Sequence, residues 1–483
     1  MSDIGKKAVR GALWSTAANL VSRMITVVST VILTRYLTPA VQGDVNIAFV
    51  IISTSALLTS LGMAQYIVAH PRSERSVTFH ASVIFLVAGF VGFGITWAVA
   101  SPIGKLVGAP GCIDYIPGFV LAQCIERVLG LPRAVLSREL RFREVGIRLT
   151  LGELVFSVTT VLAAKRGYGG QSIVIGNVAR AIVGAVYYAI VVDVRDYLEP
   201  ARLSLATLKR LLKYGAPMSI GALFHYGATT WDNLFMAWRF GEATTGLYNQ
   251  AYKLADLPAT QLGEQFGDVL VPSFARVEDP ERRKSAVLRA ASILALVVFP
   301  LAIGLGAIAP TLVTAFLPES YAGVGTFLVV LAALSVFRPI GFLVMGYLQV
   351  VGRTLSYMWL DFLKVVTILG SMWALSSFGP VWACAGVGIG FGLNAIQMVR
   401  AMRPDGYSAM TLFRAMLPPL FACAPMVGAV IAVRHLLDAP PITQLSVELL
   451  VGAVAYIASA LVIARAASRE LLALLRRGLS RTV

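Results

Sequence analysis

Charge is what this sequence has least of. Only 14% of its 483 residues are Asp, Glu, Lys or Arg, 57% are hydrophobic, and the mean hydropathy is +0.76. Soluble domains carry about 25% charged residues, so a water-soluble globular fold is excluded. Cysteine is scarce too. Cys112, Cys124, Cys384 and Cys423 show no C-x-x-C or metal-type spacing, which argues against a disulfide framework and for small buried hydrophobes. There is no G-x-x-x-x-G-K-[ST] phosphate loop, so no ATP-driven domain is expected, and no H-E-x-x-H or Cys/His cluster, so no metal or other cofactor is expected. The run GVGIGFG (Gly386–Gly392) sits inside an apolar stretch, where small residues serve close helix packing.

What the chain has instead is apolar runs near 20 residues, the length that crosses a hydrocarbon core of about 30 Å. They predict an all-α polytopic membrane protein with fourteen spans: 12–35, 45–69, 77–100, 114–136, 148–165, 171–193, 214–238, 246–272, 288–316, 323–350, 354–376, 380–400, 412–434 and 447–465. The first is expected to be retained rather than cleaved as a leader. The net charge of +16 follows this map. With the N-terminus inside, 29 of the 41 Lys and Arg fall on the cytoplasmic side, six on the other (Arg434 among them) and six within spans. That asymmetry is the positive-inside rule and puts both termini in the cytoplasm. The basic balance then reflects topology, and nucleic acid is not an expected partner. The tail RAASRELLALLRRGLSR, with leucines between arginines, is expected along the inner membrane surface.

An internal repeat is legible. TRYLTPAVQGDVNIAF (34–49) is echoed 203 residues later by AWRFGEATTGLYNQAY (237–252), which sets Gly246 on Gly43 and Asn249 on Asn46. Six spans separate the copies, so both have the same orientation and two parallel six-helix lobes are expected. The resulting division is residues 1–200, 201–404, a pair of added helices over 405–466 and a basic tail over 467–483.

Charges inside spans single out the candidate residues. The cations are Arg23, Arg127, Arg180, Lys253, Arg338 and Lys364; the acids include Glu126, Glu153, Asp232, Asp256, Glu264, Asp268 and Asp361. Each costs about 2.5–3.5 kcal/mol facing lipid at mid-membrane, so they must pair, snorkel or line water. Helical spacing puts Asn19, Arg23, Thr26, Thr30 and Thr34 on one face, and His225, Thr229, Asp232 and Asn233 on another. A third stripe holds Asn249, Lys253, Asp256, Thr260, Glu264 and Asp268, with Pro258 a helix-kinking residue among them. Such stripes line a polar lumen or hold helices together as buried pairs. Glu126–Arg127, Asp361–Lys364 and Lys253–Asp256 are candidate pairs. Glu264 and Asp268, with no cation at helical reach in the stripe, are the leading ion-coupling candidates, beside Asp232, Asp256 and Asp361.

Four stretches carry a resemblance: GALWSTAANLVSRMITVVSTVILTRYLTPAVQGDV, LPRAVLSRELRFREV (Leu131–Val145), AAKRGYGGQSIVIGNV, and YNQAYKLADLPATQLGEQFGD with its continuation VLVPSFARV. Over residues 8–400 the chain resembles Wzx-type polysaccharide flippases of the multidrug/oligosaccharidyl-lipid/polysaccharide (MOP) exporter superfamily. The resemblance implies a non-enzymatic carrier in a bacterial inner membrane, working by alternating access around a central cavity. Its cargo would be a polyprenyl-pyrophosphate-linked oligosaccharide for exopolysaccharide or lipopolysaccharide synthesis, with polymerase or export machinery as further partners. Arg23, Asn19, Arg127, Arg180, Asn249, Lys253, Arg338 and Lys364 would then meet sugar and phosphate, arginine's fork suiting phosphate oxygens. Two alternatives stay open: a cation-coupled drug or metabolite exporter, which favours lumenal carboxylates, and a membrane sugar polymerase or ligase, against which the short outer loops speak.

Overall fold

The computed structural model describes residues 21–22, 24–70, 75–275 and 279–479, with side chains for all of these except 75, 257–275, 349, 354–355, 357 and 474–479. Among the described residues there is no strand. The helices are α1 (Met24–Leu33), α2 (Pro39–Leu58), α3 (Met63–Ala69), α4 (Arg75–Ala98), α5 (Ala100–Leu106), α6 (Ile116–Arg138), α7 (Phe142–Lys165), α8 (Gln171–Val191) and α9 (Arg195–Leu198). They continue with α10 (Leu205–Ala275), α11 (Pro280–Phe316), α12 (Val324–Leu334), α13 (Arg338–Val350), α14 (Thr354–Leu375), α15 (Pro380–Ala401), α16 (Ala409–Leu436), α17 (Pro441–Ile463) and α18 (Arg465–Leu479). Among the described residues, ten helical stretches are long and apolar enough to cross a membrane, α12 and α13 counting as one. The described part of the first expected span and the spans over α6 and α10 fall outside those ten, being respectively shorter and less apolar, so length and apolarity alone do not deliver fourteen.

Local chemistry sets several boundaries. Thr38 N-caps α2, accepting from the Val41 N–H, with Pro39 in the first turn. Asp279–Pro280 does the same for α11, which therefore starts eight residues before the expected 288. The second expected span is broken: α2 ends at Leu58 and α3 begins at Met63, across Leu61 (φ 48°) and Gly62 (φ 66°). A left-handed leucine costs about 1–2 kcal/mol, so this break is held by its surroundings. Conversely, the seven-residue connection expected between spans seven and eight shrinks to one residue. Gly241, at φ 81° and ψ 175°, alone leaves helical geometry within α10. Only glycine takes that conformation readily, so a single residue can turn the chain.

The chain forms two compact units, Met1–Gly246 and Leu247–Val483. In the first, α7 and α8 form a tight hairpin against which α6 packs, and α6 also meets α3 and α4. Met63, Ile67, Phe85, Leu129, Leu131 and Leu136 fill one core; Ile47, Ile52, Cys112, Ile116 and Phe119 fill another. Burial raises the Cys112 thiol to about 12, with Asp44 and Asp114 adding to the shift. Within this unit α2 lies antiparallel to the start of α10. Side-chain bonds run Ser60–Ser219 (2.8 Å), Trp231 Nε1 to Thr54 (3.2 Å) and Asn46 Nδ2 to Asn233 Oδ1 (3.1 Å). At one end Gly43 abuts the Glu242 carbonyl while Gly246 abuts that of Pro39. By the 203-residue repeat, 43 matches 246 and 39 matches 242, so this contact is reciprocal.

In the second unit α14–α15 and α16–α17 are hairpins, and α11 packs against α16, α12 and α17. Its largest core gathers Phe299, Leu343, Tyr347, Met398, Met416 and Met426. The GVGIGFG run lies in α15, where Gly386 meets the Met372 backbone, Gly388 the Leu334 side chain and Gly390 the Ile368 backbone. Close helix packing is its role. The α14–α15 hairpin also repeats α7–α8 in register. Glu153 pairs with Arg180 across the first, and Lys364 lies over Phe391 across the second, both residues displaced by 211.

Candidate functional site

In the second unit Arg338, Asp256 and Lys364 come together. Arg338 opens α13 after a short 3-10 turn (Ser335–Phe337) interrupts the expected 323–350 span. Its side chain is 9% exposed, and its guanidinium pairs with Asp256 of α10 and stands over the rings of Tyr252 (5.3 Å) and Phe391 (4.8 Å). Lys364 of α14 approaches the same Phe391 ring at 4.9 Å. Two cations share one ring face system, a cation–π arrangement that strengthens when desolvated. Asp361, one helical turn before Lys364, is 2% exposed. The Arg338 Nε is buried and finds no hydrogen-bond acceptor among the described residues. On α10, Asn249 is half-buried and Lys253 exposed. The side chains of Thr260, Glu264 and Asp268 lie outside the described residues.

In the first unit, Asn19 and Arg23 lie outside the described residues. Of the rest of the first-span stripe, Thr26 donates to Glu153 of α7 (3.1 Å) and Thr34 to the Val31 carbonyl of its own helix (2.7 Å); Ser22 to Thr150 (3.5 Å) and Ser157 to Ser29 (3.1 Å), outside the stripe, extend the contact with α7. Glu153 also accepts from Arg180 Nη1 (2.9 Å), and Arg180 Nη2 donates to Asn177 (2.6 Å) with Phe156 beneath at 5.3 Å. Asp232, 3% exposed, accepts from the Asn233 backbone (2.9 Å) and side-chain amide (3.0 Å), which links it to Asn46. A cavity of about 510 Å³ opens between α1 and α7, lined by Met24, Val28, Ile32, Leu154 and Val158 among others. Its polar side chains, Ser29 and Ser157, bond each other, so it offers nothing to a phosphate.

Pairings differ from those expected by spacing. Glu126 pairs with Arg148 of α7 rather than with Arg127, because neighbours one residue apart on a helix point about 100° apart. Arg127, 4% exposed, donates to the Ala56 carbonyl and Thr59 instead. Asp256 finds Arg338, 82 residues away. One cluster went unmarked in the sequence: Arg434, expected outside the membrane, grips Glu448, whose side chain is 0% exposed, through Nε (3.1 Å) and Nη2 (3.2 Å). Thr311 donates to the same carboxylate (2.8 Å), tying α11, α16 and α17 together. A lone glutamate within the last apolar span was the available signal.

Two helical units built on matching hairpins define a polytopic all-α membrane fold that solved structures share. Lipid II flippase MurJ in an inward closed conformation superposes with a TM-score of 0.75 at 11% identity, covering 94% of this chain and 99% of that one. An inward-facing multidrug resistance MATE family transporter of the MOP superfamily gives 0.65 at 17%, over 83% and 95%. At these identities the likeness is one of fold. Residues 32–325 match the family described as polysaccharide biosynthesis protein, and the chain belongs to that family. The lipopolysaccharide biosynthesis protein WzxC of Escherichia coli (strain K12) is 25% identical over 345 residues, 70% of this chain and 69% of that protein. The succinoglycan biosynthesis transport protein ExoT of Rhizobium meliloti (strain 1021) is 23% identical over 498 residues, 98% of this chain and 96% of that protein.

Proposed function

We propose that this chain flips a polyprenyl-pyrophosphate-linked oligosaccharide from the cytoplasmic to the periplasmic leaflet by alternating access, with no covalent chemistry of its own. The supporting observation is the Arg338–Lys364 pair on Phe391, in a polysaccharide-biosynthesis protein with a carrier fold. A buried Arg338 Nε without an acceptor is a donor that a phosphate oxygen would satisfy. Arg23, Asn19, Asn249 and Lys253 are the further candidates for contact with sugar and pyrophosphate in this reading. Asp232, Asp256, Asp361, Glu264 and Asp268 are its ion-coupling candidates. Asp256 has the clearest lever, since protonating it would release Arg338. The lobes are residues 1–200 and 201–404, and both termini face the cytoplasm of a bacterial inner membrane.

Deleting the gene should accumulate lipid-linked repeat units on the cytoplasmic face, with restoration by the wild type. Arg338→Ala and Arg23→Ala should insert normally and fail to restore export. Full export by Arg338→Ala would remove the cation pair from the mechanism. Product formed without movement of lipid-linked substrate would point to a polymerase or ligase.

A further inference from the structure

Arg127 has no carboxylate among its described partners, although it is buried within α6. Its Nη2 donates to the Ala56 carbonyl (2.8 Å) and Thr59 Oγ1 (2.6 Å), and its guanidinium lies over Phe85 (4.4 Å) and Phe93 (5.1 Å). The Ala56 carbonyl explains why. In a continuous helix it would receive the N–H of Ser60, four residues on. The Ser60 N–H donates instead to Leu57 (3.2 Å), because Leu61 and Gly62 turn left-handed and end α2. That carbonyl has lost its backbone donor and is reached within its own segment by the Thr59 hydroxyl at 3.4 Å, and it is the one that Arg127 takes. A carbonyl without a donor is costly inside a membrane, and a helix C-terminus carries partial negative charge that a cation offsets. The charge of Arg127 is thus answered by backbone rather than by an acid.

Neighbouring helices are shaped around this bond. Phe85, Gly89 and Phe93 recur every four residues on α4, so two rings flank a gap. A Cβ at Gly89 would overlap Arg127 Nε, and one at Gly92 would overlap the Thr59 methyl. Just past the break, Gly62 and Gly215 touch backbone to backbone, leaving no room for a side chain at either. A straight span needs neither a left-handed leucine nor a buried guanidinium, and hinges are a few residues that absorb a backbone change.

We propose that Arg127 is a positioning residue for a joint built into the second span. It fixes the end of α2, and α3 moves about residues 59–62 as a separate segment. The full-length protein in lipid nanodiscs, spin-labelled through a cysteine-free background, tests this. One label pair spans the joint, Val68 on α3 with Leu154 on α7, and a control pair joins Leu58 on α2 with Leu154; all three positions are exposed. Arg127→Met should shift or broaden the Val68–Leu154 distances by about 5 Å, one helical pitch, and leave the control pair unchanged. Gly89→Ala, which keeps the charge and closes its slot, should do the same and decides the matter if Arg127→Met does not fold. Unchanged distances across the joint would overturn the proposal, as would both pairs moving together, since Arg127 would then only hold the general packing. No cargo enters the measurement, so its outcome is separate from that of the proposed transport function.

Discussion

Several buried charged side chains in this protein are explained by partners on other helices. Glu448 is the sharpest case, fully enclosed and bidentate to Arg434. Removing one member of a buried pair strands a charge and typically costs about 3–5 kcal/mol. Glu448→Ala should therefore lower the thermal unfolding midpoint strongly, while Arg434→Met combined with Glu448→Leu should recover much of the loss. Cys112 gives a milder test. With its thiol raised to about 12, little thiolate exists at pH 8, and thiolate is the reactive form. Maleimide at pH 8 should leave Cys112 unlabelled in the folded protein and label it after denaturation. At this scale the sequence showed which charges lay in spans. It could not show that Glu126 turns to Arg148 or Asp256 to Arg338, because those distances are set by helix packing.

Helices here are punctuated by single residues. Gly241 divides α10, and a Cβ there would meet nothing within 4 Å, so any effect of substitution is a backbone effect. Gly241→Ala should destabilise the protein by about 1–3 kcal/mol, seen as reduced thermal stability in detergent. Gly43 and Gly246 act by proximity instead, each facing the other helix's carbonyl. Either residue changed to Leu should separate α2 from α10 and lower stability further than Gly241→Ala, because backbone would have to move. The alignment of Gly43 with Gly246 was legible in the sequence. Their reciprocal contact was not, since equivalence in a repeat does not state which residues touch. The break between α2 and α3 was hidden as well: SLGMAQ carries one glycine, and a left-handed Leu61 has no sequence signature.

On the scale of the whole chain, the repeat reappears as matched hairpins. The 211-residue displacement that carries Glu153–Arg180 onto Lys364–Phe391 trades an ion pair for a cation over a ring. Across the first hairpin the cation meets a carboxylate; across the second Lys364 meets a ring that Arg338, itself paired with Asp256, also meets. Under the proposed function, in which Lys364 meets the anionic head of the cargo, Lys364→Ala should reduce polysaccharide export more than Arg180→Met paired with Glu153→Leu, measured against equal amounts of inserted protein. The amphipathic tail α18 is seated by Ala464, Ala467 and Ser468, with the Ser468 hydroxyl on the Ala460 carbonyl (3.0 Å), and keeps Arg465 and Arg469 exposed.

By itself the sequence determined the class of this protein: apolar runs of spanning length require helices, since in lipid every backbone group must be satisfied within its own segment. It also carried the repeat and the family resemblance, both linear patterns. Only the tertiary structure decided which charges meet, where a span breaks and which glycines allow backbones to touch. Those outcomes depend on contacts between residues far apart in the chain, and at a residue such as Arg127 the deciding partner is a backbone carbonyl, which no side-chain pattern encodes.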